Sequence, residues 1–160
     1  MPEAFDLVYS AQAFHWVPPD TGVPKAARAL KPGGQVALIW NLYPGIKGPV
    51  DVDLQKAYDE FAPQISTPVT KMEDTIRERA GWIEAGGCFS PVSIHRFPWT
   101  LCYTTQQYIG LLNTYSDHIA LPAETRQRLY HAIAGAIDRN GGTIDRPYVA
   151  VAFMAQKPSH

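Results

Sequence analysis

The chain has 160 residues, enough for one domain with a substantial core and too few for two of ordinary size. Hydrophobic residues make up 46% and charged residues 18%, and the formal net charge is -1, so neither nucleic acid nor an anionic membrane surface is indicated as a partner. We predict a single domain over residues 1–160 that binds a small molecule or a protein.

The cysteines and the N-terminal residues bear on the cellular compartment. Cys88 and Cys102 form no Cys-x-x-Cys pair, and the five histidines show no metal-ligand spacing, so we predict reduced thiols and no metal site. The first residues lack the charged and apolar regions of a secretory signal, and no stretch reaches about 18 apolar residues. We therefore predict a cytoplasmic protein without a membrane segment.

The first forty residues alternate between strand and helix patterns. The run FDLVYS (5–10) is typical of a strand buried on both faces of a parallel sheet. TGVPKAARAL (21–30) predicts a helix that ends at the Lys-Pro-Gly-Gly of 31–34, and QVALIW (35–40) predicts a second buried strand. Strand, helix and strand with short links indicate the crossover unit of an α/β sheet.

The remaining patterns predict four further helices and two strands. Helices are predicted over 52–65, 71–87, 104–116 and 121–140, with a turn at 66–70, a β-rich stretch over 91–104 and a last strand over 147–158. Pro98 marks the β-rich stretch as an edge strand or a bulge.

Two segments together resemble a known family. FDLVYSAQAFHWV followed by AARALKPGGQVALIWN resembles the second half of class I S-adenosylmethionine-dependent methyltransferases. FPWTLCYTTQQYIGLLNTYSDHIALP and IDRPYVAVAFMAQKP resemble more narrowly the methyltransferase type 11 subgroup with trans-aconitate methyltransferase-like proteins. The resemblance covers essentially the whole chain. It implies an α/β fold, half of a Rossmann-like sheet with strands equivalent to 4-5-7-6, a helical insertion at about 105–140, and S-adenosylmethionine as cofactor.

The family's Gly-rich turn, where backbone N–H groups approach the cofactor, is missing from these residues. The glycine pairs at 33–34, 86–87 and 141–142 fall at predicted helix ends, and no Gly-x-Gly-x-Gly occurs. The resemblance therefore implies a truncated chain that does not bind the cofactor by itself. Two functions stay open: a partial methyltransferase acting on a small-molecule O or N (less readily C) acceptor, or a non-catalytic remnant or dimerising interaction module.

The resemblance implies that the segment after the first strand lies beside the cofactor, at the carboxyl ends of the strands. The implied cofactor contacts are Ser10, Ala11, Gln12, Phe14 and Trp16. His15 is the candidate catalytic residue, as a proton acceptor or a polar anchor for substrate. The alternatives are a histidine that only packs against Trp16, and aromatic side chains that close the strand end.

Four residues are candidates for binding the substrate: Asn41, Tyr43, Tyr115 and Arg146. Asn41 and Tyr43 follow the second strand, where Asn41 could instead cap a loop. Arg146 would pair bidentately with a carboxylate substrate, which the subgroup resemblance suggests; a solvated ion pair is the alternative.

Strand 5–10 also carries a prediction about assembly. In the family's sheet order 3-2-1-4-5-7-6 it corresponds to the fourth strand, and without its neighbour it would expose a flat apolar edge. We predict a homo-oligomer formed through residues 5–10.

Overall fold

The computed structural model describes residues 2–66 and 72–159, which form a four-stranded sheet and six α-helices. The strands are β1 (Phe5–Ala11), β2 (Leu30–Leu42), β3 (Ser93–Thr104) and β4 (Thr143–Gln156). The helices are α1 (Pro19–Ala29), α2 (Pro49–Phe61), α3 (Met72–Glu84), α4 (Thr105–Leu112), α5 (Ser116–Ile119) and α6 (Ala123–Arg139). Short 3-10 segments cover Phe14–Trp16 and Pro63–Ile65.

The strand order in the sheet is β1-β2-β4-β3. β1 runs parallel to β2, and β4 runs antiparallel to β2. If β1 to β4 are numbered 4 to 7, the order in the sheet is 4-5-7-6, which is the order that the family resemblance implied. The predicted fold class is therefore confirmed. β3 lies at one end of the sheet, as Pro98 indicated.

The described residues form two compact units, a division that the single-domain prediction did not include. Unit 1 comprises those within 1–44, 70–99 and 148–160, and unit 2 those within 45–69 and 100–147. Unit 2 contains α2 and the three helices α4, α5 and α6, which lie in the segment predicted as a helical insertion at about 105–140.

Unit 1 has an apolar core between the sheet and the helices α1 and α3. Helical spacing places Val23 and Ala26 of α1, and Ile76 and Ile83 of α3, on the buried faces of their helices. They pack with the inward side chains of the central strands, chiefly Val36, Leu38, Trp40, Val151 and Phe153.

Unit 2 is built on the contact of α2 with α6. Leu129, Ile133 and Ile137 lie one turn apart on α6 and are fully buried. Helix α4 begins with a capping box, in which Thr104 and Gln107 satisfy each other's backbone N–H groups.

The prediction that 5–10 is buried on both faces was wrong. Val8 packs against the core, but Phe5, Leu7 and Tyr9 are 53%, 50% and 69% exposed. Because successive side chains of a strand point to opposite faces, these three residues share the face that the core does not cover. An apolar run alone does not distinguish a central strand from an edge strand.

Several element ends differ from the prediction. The Lys-Pro-Gly-Gly segment 31–34 belongs to β2 rather than to the preceding link, with Gly33 in the left-handed region at φ 77°. α2 ends at Phe61, four residues early, and a 3-10 turn follows it. The turn predicted at 66–70 lies outside the described residues except for Ser66.

Candidate functional site

In unit 1, the turn after β1 ties the carboxyl ends of β1 and β2 together. Gln12 donates its backbone N–H to the carbonyl oxygen of Ile39 at 2.9 Å, and its side-chain Nε2 to that of Asn41 at 3.5 Å. Gln12 adopts φ 55°, a left-handed conformation that is uncommon for residues other than glycine. Such backbone strain concentrates at functional sites, and open α/β sheets bind ligands at this edge.

The predicted cofactor contacts differ in accessibility. Ala11, Gln12 and Trp16 are exposed and Ser10 is half-buried, so these four can reach a ligand. Phe14 is instead part of the core, and a Cβ placed on Gly22 would come within 2.8 Å of its ring. Phe14 therefore takes the alternative role of a buried aromatic that closes the strand end.

His15 contacts two tryptophans. Its ring lies 4.9 Å from that of Trp16, as the packing alternative proposed. In addition, Trp40 Nε1 donates a hydrogen bond to His15 Nδ1 at 3.3 Å. The sequence pattern did not indicate this second contact, because Trp40 lies in a buried strand.

Trp40 is itself enclosed by side chains of unit 1. Trp82 and Phe153 contact it edge-on, with ring centroids 5.9 and 5.7 Å away. The guanidinium of Arg79 lies 4.0 Å from the centre of its ring, a cation–π contact. Burial lowers the pKa of Arg79 from its ordinary value, and Glu78 opposes that shift. Sequence reasoning missed Arg79, which stands among the apolar positions of α3.

Asn41 and Tyr43, both predicted substrate contacts, lie in an aromatic cluster of unit 1. Trp99 Nε1 donates to Asn41 Oδ1 at 3.0 Å, so the Asn41 side chain does not cap a loop. Trp99 also stacks on Tyr148 with ring centroids 4.5 Å apart, and the Tyr43 ring lies 6.4 Å from Tyr148. Trp99 and Tyr148 were not among the predicted site residues.

Tyr115 and Arg146, the other two predicted substrate contacts, come together in unit 2. Arg146 is only 6% exposed, which rules out the solvated ion pair. Its Nη1 donates to Tyr108 Oη at 3.3 Å. Its guanidinium carbon lies 5.9 and 5.8 Å from the ring centres of Tyr108 and Tyr115. The structure thus places two tyrosine rings close to a buried cation.

These tyrosines keep their protons at neutral pH. Burial raises the pKa of Tyr108 and Tyr115, and the nearby positive charge of Arg146 opposes the shift. Burial also raises the pKa of Tyr58, which Arg146 again opposes. Since Tyr108 Oη accepts from Arg146, its own O–H remains a donor. A cation and neutral hydroxyl donors suit an anionic oxygen ligand.

His118 is a buried histidine in the same unit. It is 3% exposed, its Nε2 lies 3.2 Å from Tyr58 Oη, and its ring contacts those of Tyr115 and Tyr130. Burial lowers its pKa, and the neighbouring Asp117 opposes that shift. His118 is therefore a neutral polar group beside the Arg146 cluster.

Comparison with known proteins identifies relatives of the whole chain. A methyltransferase domain family matches residues 1–38. An uncharacterized methyltransferase of Mycobacterium bovis is 28% identical over 155 residues, covering 94% of this chain and 58% of the relative. An uncharacterized methyltransferase-like protein of Schizosaccharomyces pombe is 29% identical over 168 residues, covering 97% and 59%. The chain is similar to methyltransferases over almost its whole length. It spans under two thirds of the length of these curated relatives.

A solved structure has a similar fold over almost the whole chain. A protein from Anaeromyxobacter dehalogenans, described as a candidate type II methyltransferase, aligns with a TM-score of 0.67 at 16% identity. The alignment covers 99% of this chain and 67% of that chain. Within the described residues no helix is long and apolar enough to cross a membrane, and no group of three or more potential metal ligands occurs.

Phe14 and Trp16 form a matched pair of positions for testing the end of β1. Phe14→Ala should destabilise the fold by about 3–5 kcal/mol, because it empties a core position. Trp16 is 80% exposed, so Trp16→Ala should change stability by no more than about 0.5 kcal/mol. Urea denaturation of both variants measures the difference, and equal losses would contradict the assignment of Phe14 to the core.

The buried His118 predicts a pH-dependent stability. Because its folded-state pKa is lowered, the unfolded chain binds more protons near that pKa, and stability falls as pH drops below about 6.5. The slope from one proton is at most about 1.4 kcal/mol per pH unit. His118→Gln should reduce the dependence of stability on pH. Urea unfolding midpoints measured above and below pH 6.5 give this dependence. The matched control is His131→Gln, an exposed site on α6, and an equal effect of both variants would contradict the prediction.

Proposed function

We propose that this chain forms part of an S-adenosylmethionine-dependent methyltransferase that methylates a small molecule at O or N. The sheet order and the methyltransferase relatives support the reaction class. The proposal of a small-molecule acceptor rests on Arg146, a buried cation close to neutral tyrosine hydroxyls. We propose that Arg146, Tyr115 and Tyr108 bind an anionic group of the acceptor, and that Asn41 and Tyr43 also contribute to acceptor binding.

The side chains of the turn after β1 are suited to contacting a cofactor. Its accessible residues offer a hydroxyl at Ser10, a small side chain at Ala11, an amide at Gln12 and an aromatic face at Trp16. When bound, S-adenosylmethionine supplies the methyl group together with its leaving group. These residues would align the cofactor and exclude water, while Phe14 supports the turn from the core.

The chain alone should bind the cofactor weakly, because no Gly-x-Gly-x-Gly occurs in its 160 residues. Calorimetric titration with S-adenosylhomocysteine is expected to show no saturable binding in the micromolar range. Far-ultraviolet circular dichroism of the same sample checks that the chain is folded. Tight binding would overturn the proposal that a Gly-rich turn is needed for affinity.

Methyl transfer is tested on the chain together with any coding sequence that precedes Met1 in the same frame. That protein is incubated with tritiated S-adenosylmethionine and a metabolite extract, and label in small molecules is counted. Labelled product, reduced by Arg146→Met, supports the proposal. Binding of S-adenosylhomocysteine without any labelled product would favour the non-catalytic interaction module.

The location that we propose is the cytoplasm. Cys88 and Cys102 both carry free thiols in the structure, which suits a reducing compartment.

A further inference from the structure

We infer that His15 is held as the neutral Nε2–H tautomer and acts as a hydrogen-bond donor to an oxygen atom of a bound small molecule. Of the two roles that the sequence suggested, His15 is therefore the polar anchor that binds the ligand and not the proton acceptor. The role toward a ligand rests on the proposed function, whereas the tautomer follows from contacts within unit 1.

The hydrogen bond between Trp40 and His15 can have only one direction, with Trp40 as the donor. An indole Nε1–H can donate but cannot accept, so His15 Nδ1, at 3.3 Å, must be the acceptor. An accepting Nδ1 carries no proton. In a neutral imidazole the single proton then resides on Nε2, and the free nitrogen of the ring is a donor.

The packing of Trp40 keeps this arrangement in place. Trp40 is 2% exposed and is contacted edge-on by Trp82 and Phe153, while Arg79 lies over its face. Rotating the indole away would break these contacts and leave a buried N–H without an acceptor. The hydrogen bond therefore fixes the tautomer of His15.

The Nε2–H of His15 remains available to a ligand. The residue is exposed, and its ring is steadied by Trp16 at 4.9 Å. It follows the β1 turn, at the sheet edge where ligands of α/β folds bind. Because Nδ1 is occupied and Nε2 is protonated, neutral His15 can bind a carboxylate, phosphate or carbonyl oxygen but cannot take a proton from an acceptor.

The tautomer is tested by long-range proton–nitrogen NMR on the full chain labelled with ¹⁵N-histidine, at a pH where imidazole is neutral. We expect the His15 signals, assigned by their loss in His15→Asn, to show a protonated Nε2 and an unprotonated Nδ1. Trp40→Phe should release this preference, and Trp82→Phe should retain it as the matched control. If Trp40→Phe does not fold, the wild-type spectrum still decides. A protonated Nδ1 in the wild type would overturn the inference.

The donor role is tested by titrating the same sample with acetate and, separately, with inorganic phosphate. Saturable shifts at Nε2, with Nδ1 retaining its Trp40 partner, support donation to anionic oxygens, and the stronger probe identifies the preferred class. No saturable shift with either anion would overturn the donor role. Neither readout requires methyl transfer, so a failure here is separate from a failure of the proposed function.

Discussion

Arg146→Met is expected to weaken the binding of small anions by about 2–5 kcal/mol, the typical cost of removing one partner of a buried charged contact. Arg146 is buried beside Tyr108 and Tyr115, whose neutral hydroxyls would donate to the same ligand. Without the cation, the remaining donors are neutral and the attraction for an anion is largely lost. Calorimetric titration with succinate and with phosphate measures the change.

A further variant, with a control at another arginine, separates the effect of charge from that of shape at position 146. Arg146→Lys keeps the charge but loses the planar fork, so its affinity should lie between those of the wild type and Arg146→Met. Arg139→Met is the matched control, because Arg139 is an arginine of unit 2 whose side chain is 66% exposed. Replacing a buried ion by an apolar group of similar volume is often neutral for stability. If Arg146→Met bound anions as the wild type does, the proposed acceptor site would be wrong.

The second large effect concerns assembly. We propose that the exposed edge of β1 pairs with a second copy of this chain. Phe5, Leu7 and Tyr9 form an apolar stripe on a strand that, within the part of the chain that the structure describes, has β2 as its single neighbour in the sheet. If two copies of β1 pair antiparallel with Leu7 on the two-fold axis, Phe5 of each copy lies opposite Tyr9 of the other. The stripe is therefore complementary to itself, as a two-fold interface requires.

Leu7→Lys is expected to convert this dimer or higher oligomer to a monomer, because two lysines would meet at the axis. Light scattering at micromolar concentration measures the mass of each protein. Val52→Lys is the matched control, since Val52 is 54% exposed and lies on α2. A monodisperse wild-type monomer would contradict the proposal, as would an oligomer unaffected by Leu7→Lys.

Much of the architecture was predictable because it depends on neighbouring residues. The alternation of apolar runs with helical stripes located β1, α1 and β2, and Pro98 correctly indicated an edge position for β3. The strand order came from the family resemblance rather than from periodicity.

The candidate sites could be predicted only in part. Tyr115 and Arg146 were both expected to bind substrate, and the structure brings them together. Tyr108, Arg79 and Trp99 were missed because their sequence positions are typical of ordinary helix and strand residues. Phe14 was predicted as a cofactor contact because of its position after β1, but its ring lies in the core.

By itself, the sequence determined the helices and strands, their order along the chain and the residue types available for a site. Only the tertiary structure decided which faces stay exposed and which polar groups meet, including the exposure of β1 and the bond from Trp40 to His15. The physical reason is that the interacting residues are far apart along the sequence. Periodicity reports contacts within a few residues, whereas Trp40 and His15 are 25 positions apart, Arg146 and Tyr108 are 38 apart, and Trp99 and Asn41 are 58 apart. Such pairs form only when the packed sheet and helices bring distant segments together.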